Sequence, residues 1–127
     1  MIAPHKAILL LAIIDLIERG IITTLCIPLS EELERNFKRM WKTYVPITSP
    51  FLCNFSYPFF HLSSSPFWIL IKASTYIGQK DYSSVKPLKR DYVGTVIDTE
   101  LFKYLSNPEQ RDELRELLIA NYLSEKN

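Results

Sequence analysis

The chain has 127 residues with 47% apolar and 23% charged side chains, the size and composition of one ordinary globular domain, which excludes a disordered, fibrous or two-domain protein. Its longest apolar run, Ala7 to Ile14, stops at Asp15, too short for a membrane span, and Met1 leads into Pro4 with no basic stretch; the expectation is a cytoplasmic chain with no leader and no membrane partner. A formal charge of +1 hides an asymmetry: from Asn36 to Arg90 eight lysines and arginines face one acid, Asp81, whereas from Asp98 to Asn127 seven acids face four bases, as expected of a protein with one face for a polyanion.

Pro4 suits a first helical position, and apolar residues fill almost every place from Ala7 to Ile17. A helix apolar nearly all round belongs at the centre of its domain. Gly20 closes it, with Arg19 in the last turn. Ile21 to Ile27, rich in β-branched residues, reads as a short strand ended by Pro28. Ser30 can cap a second helix, with Glu31 and Glu32 in its first turn and a stripe of Leu33, Phe37, Met40, Trp41 and Tyr44; Pro46 and Pro50 stop it. Tyr57–Leu62 and Phe67–Ile71, separated by Ser63-Ser64-Ser65-Pro66, read as a β-hairpin. Residues 73–94 show no clean period and read as an irregular, basic loop. Asp98 can cap a short helix through Leu105, and Asn107-Pro108-Glu109-Gln110 starts a last helix with the stripe Leu114, Leu117, Leu118 and Tyr122.

The fold class that follows is α+β: a single, mainly helical domain over residues 1–127 with a small antiparallel hairpin or sheet. Helix, strand, helix and hairpin in that order are winged-helix-like by analogy.

Catalytic chemistry finds no footing. His5 and His61 have no metal spacing, the three glycines are isolated, and no serine sits in a nucleophile elbow. Asp15 and Glu18 read as an exposed helix edge rather than an acid–base pair. Cys26 and Cys53 read as buried free thiols. The expectation is a recognition domain rather than an enzyme, with no cofactor and no metal.

Two blocks carry a family resemblance. Ala3-Pro4-His5-Lys6-Ala7-Ile8-Leu9-Leu10-Leu11 through Ile17-Glu18-Arg19-Gly20 resembles the opening helix of the sulfur-binding domains of phosphorothioate-dependent restriction endonucleases of the type IV, HNH class. Tyr57-Pro58-Phe59-Phe60-His61-Leu62, followed by Phe67-Trp68-Ile69-Leu70, is similar to that family's second block, and Asp98 to Leu118 to the segment that precedes its HNH nuclease. Ala7 departs from the pattern, standing where a second proline often follows the lysine. The resemblance implies binding of double-stranded DNA in which sulfur replaces a non-bridging phosphate oxygen, in service of restriction and defence. It implies an HNH nuclease domain as partner, in the same longer chain. Tyr57 and Pro58 would form the wall of a sulfur-accepting cavity, His61 its edge, and His5 and Lys6 would face the DNA backbone.

The chemistry suits those residues. Sulfur is large, polarizable and a weak hydrogen-bond acceptor, so a selective pocket offers apolar contact and withholds donors. An oxygen there would lose its water without replacement, at about 1–3 kcal/mol. Proline brings no N–H and tyrosine a broad apolar face. Lys6, Lys72 and the cluster from Lys80 to Lys89 and Arg90 would add salt-sensitive affinity. The rival expectations are a winged-helix-like regulator of unmodified DNA and a protein-interaction adaptor working through the acidic last helix.

Overall fold

In the computed structural model, which describes residues 2–123, every other element is arranged about the first helix. That helix, α1 (His5–Glu18), buries nine of its fourteen residues, from Ala7 to Ile17. Strand β1 (Cys26–Pro28) follows, then α2 (Glu31–Tyr44), a short α3 (Ser56–His61), β2 (Trp68–Lys72), α4 (Val85–Asp91), β3 (Tyr92–Ile97), α5 (Thr99–Ser106) and α6 (Pro108–Leu118). Helices α2, α3, α5 and α6 all pack on α1, the central place its uninterrupted apolar sequence demands. The result is an α+β domain.

The helix starts read from sequence are present as hydrogen bonds. Ser30 Oγ accepts from Leu33 N–H, Asp98 from Glu100 and Leu101, and Asn107 from Gln110 with Pro108 in the first turn. Gly20 ends α1 with a positive φ, and Ile21 and Ile22 both turn their N–H groups back to Leu16 O. That return uses up the front of the expected strand 21–27. Only Cys26–Pro28 pairs as a strand.

The sheet is antiparallel in the order β1-β3-β2, with Cys26 opposite Val96 and Trp68 opposite Ile97. Ile27, Thr95, Trp68 and Ile97 turn to the core and are essentially inaccessible; the buried Thr95 hydroxyl donates to Ile69 O. A Cβ on Gly94 would lie 2.5 Å from Ile27 O, so β1 and β3 approach this closely only because the side chain is missing.

Three expectations are corrected. Tyr57–Leu62 is not a strand of a hairpin: 56–61 is α3, and the partner of β2 is β3. The segment is aromatic but has no β-branched residue, and Asn54 Oδ1 accepts from Tyr57 N–H at its start, leaving Pro58 in the first turn where no N–H is needed. Residues 73–94 are irregular only in their first half; the rest supplies α4 and the first half of the central strand. Both cysteines are exposed rather than buried.

Candidate nucleic-acid interface

The first turn of α1, the end of α2 and the whole of α3 meet at a row of rings. His5 lies 4.8 Å from Trp41, 6.0 Å from Phe51 and 5.6 Å from Tyr57, centroid to centroid, and Tyr57 lies 4.4 Å from His61. Three of the expected site residues, from segments about fifty positions apart, thus stand side by side. Tyr57 is 43% exposed, whereas Pro58 is buried, so Tyr57 alone presents the apolar surface expected of the pair.

Several hydrogen-bond donors around that surface are already engaged. His5 Nε2 is 2.8 Å from Leu52 O; a carbonyl only accepts, so this nitrogen carries a proton. His61 Nε2 is 3.1 Å from Asp81 Oδ1, and Tyr57 N–H is bonded to Asn54. His5 Nδ1 is buried without a partner. The segment between α2 and α3 displays Ile47, fully exposed, and Leu52, 82% exposed, whose carbonyl holds His5. The surface at Tyr57 is therefore largely apolar, with the phenol hydroxyl as its own polar tip.

The basic run divides in two. Lys38 and Lys89 both pair with Glu34, Arg39 pairs with Asp15, and Arg90 with Asp91. Lys6, Lys42, Lys72, Lys80 and Lys86 are exposed and, among the described residues, have no ion-pair partner. Lys6 neighbours His5 on α1; Lys72 sits at the end of β2 with Nζ 4.5 Å from the Tyr76 ring centroid.

Arg90 serves the fold. It donates to Asp91 through Nε at 2.8 Å and a terminal nitrogen at 2.7 Å. Asp91 also accepts from Tyr82 Oη and from Ile77 and Gly78 N–H. Arg90 above all holds the Asp91 carboxyl far below the usual carboxylate range, and burial, then the bond to Asp91, pushes the Tyr82 phenol up.

Asp15 and Glu18 are likewise engaged, Asp15 with Arg19 and Arg39 and Glu18 with Arg115. A polar cleft of about 230 Å³ between the end of α1 and α2 is lined by Arg19, Arg35, Arg39, Glu32, Asn36 and Leu16. Among the described residues no three His, Cys, Asp or Glu side chains gather as a metal ion would require, and no helix is long and apolar enough to cross a membrane. Sequence reasoning missed Trp41 as a site residue, since its helical spacing marked it only as stripe, and missed Phe51, Leu52 and Asp81, for which no local pattern exists. No protein-family model and no curated protein matches the chain.

Proposed function

We propose that this domain binds DNA carrying a phosphorothioate and delivers a restriction nuclease, of the HNH type, to it. The observation that carries the reading is the half-exposed face of the Tyr57 ring, flanked by His5 and His61, whose Nε2 atoms are already committed to Leu52 O and Asp81. A phosphate oxygen set against this surface loses water and gains no bond; a sulfur loses little. Lys6 at the start of α1 supplies the charge for the neighbouring phosphate, and Lys42, Lys72, Lys80 and Lys86 the sequence-independent, salt-dependent part of the affinity. Such a recognition domain carries no catalytic residue, metal or cofactor of its own and acts in the cytoplasm, where it meets DNA.

The test is a titration of matched duplexes, with and without one sulfur, at several salt concentrations. The sulfur duplex binds more tightly by roughly 5- to 100-fold, and both affinities fall with salt. Tyr57→Ala removes the preference while weak binding to plain duplex persists; Tyr57→Phe keeps it. Equal affinity of the unaltered chain for the two duplexes would sink the reading.

A second reading, a winged-helix-like regulator of unmodified DNA, is favoured by one observation, the last strand lying between the first two in the sheet. It requires equal binding of the two duplexes and a strong dependence on base sequence.

A further inference from the structure

The stretch between β2 and α4 contains no regular element until Val85, yet its path is fixed from inside by a carboxylate that solvent does not reach. Asp91 accepts from Ile77 N–H at 3.0 Å, Gly78 N–H at 3.2 Å and Tyr82 Oη at 2.5 Å, and from Arg90. Thr75 Oγ1 donates to Arg90 O, and Arg90 reaches Gln79 Oε1. An ion pair of this kind gives little net stability over apolar packing. What it does give is one conformation for the loop.

That conformation turns at Gly78, with φ +84°, where a Cβ would lie 2.8 Å from Tyr76 Oη. The turn and the Tyr76 ring are therefore built against each other. The side chain held outward is Ile77, 71% exposed; Tyr76, 36% exposed, packs one side of its ring 5.6 Å from Tyr92 and leaves its rim open, with Lys72 over the ring and Lys80 exposed beyond. The nearby carboxylates are engaged, Asp91 within the core and Asp81 with His61 and the Tyr82 N–H. The loop is also braced against the helix that carries Tyr57. His61 meets Asp81, Asn54 donates to Ser83 O, and Phe60 packs 4.6 Å from Tyr82.

We infer that residues 72–80 form a preset second arm for duplex DNA. Ile77 and Tyr76 enter a groove against sugar and base edges, and Lys72 and Lys80 meet the phosphates on either side. An apolar tip between bases, with no unengaged acid beside it, matches a surface of apolar sugars and base edges banded by charge. Its link to Tyr57 through His61 and Asp81 makes it continuous with the proposed phosphorothioate surface. The inference rests on the DNA-binding reading above and adds to it a contact away from the modified phosphate.

Fluorescence anisotropy of the unaltered chain, Ile77→Ser and Tyr76→Ala on a labelled sulfur-bearing duplex tests it, with a second set of duplexes shortened from either end. Both variants bind the long duplex roughly 5- to 30-fold more weakly, keep the unaltered ratio of sulfur to plain affinity, and lose their deficit when the duplex is shortened on one particular side. Ile77 is exposed, so Ile77→Ser melts as the unaltered chain does. If the unaltered chain binds sulfur DNA and both variants match it, the arm is refuted and the DNA reading stands. A deficit that persists whichever end is removed also refutes the arm. If the unaltered chain binds neither duplex, both fall together.

Discussion

Asp91 is ionised in the core because Arg90, Tyr82 and two backbone N–H groups bond to it. Its proton affinity is thereby depressed in the folded chain, whereas in the unfolded chain an aspartate takes up a proton near pH 4. The support it lends is complete above that pH and is lost as the pH falls below about 4 toward the lower folded value. Thermal melts from pH 7 to pH 2 should show an acid limb that flattens in Asp91→Asn, which also melts lower at pH 7 by roughly 10 °C. An unchanged acid limb would mean that another group controls acid unfolding.

The same residue shows what charge counting along a sequence misses. Cutting the basic run at Arg90 left its own partner, Asp91, one place outside, and Glu34 and Asp15 lie before it; half of the eight bases prove to be paired with these three acids. His5, Tyr57 and His61 were legible as candidates through the family-like blocks. Their ring-to-ring arrangement was not, because it depends on where α3 lies against α1.

Among the elements, α3 carries the argument furthest. Asn54 begins it twice over, accepting from Tyr57 N–H and donating to Ser83 O, so one side chain sets both the helix start and its distance from the 73–84 loop. Asn54→Ala should lower stability by about 1–2 kcal/mol in urea unfolding, and Asn54→Asp, which keeps the acceptor, should recover part of it. Equal stabilities for the three chains would show that α3 does not depend on this cap.

Asn107-Pro108 reads in the sequence as a helix start and Asn54 with Pro58 does not, although both place a side-chain acceptor ahead of a proline in the first turn. Aromatic residues at Tyr57, Phe59 and Phe60 weighed toward strand. Burial of Phe59 against Trp68 and Phe55 settles the matter through tertiary contact, which no local window contains.

For the whole molecule, the sheet was half legible. The sequence marks Phe67–Ile71 as a strand, one residue ahead of the observed Trp68–Lys72, but points to the residues just before it as partner, whereas β3 lies some twenty residues later. Gly94 in the middle of Tyr92–Ile97 disguises the central strand, and the same glycine lets β1 close on β3. Gly94→Ala should therefore destabilise the domain by about 2–3 kcal/mol or prevent its folding, since the atom its Cβ meets is the backbone oxygen of Ile27 and backbone yields least. Denaturation within a few tenths of a kcal/mol of the unaltered chain would contradict so close an approach.

Helix α1 ties these scales together. Its middle is the hub on which four other helices rest, and its first turn carries the imidazole against which Tyr57 leans. The proposed binding surface and the core thus share a single rod, with no hinge between them. A repacking at Ile13 or Leu16 would be felt as a tilt at His5, so under the proposed function variants chosen for hardiness alone would drift in selectivity, and selection on the rim would reach back into the interior.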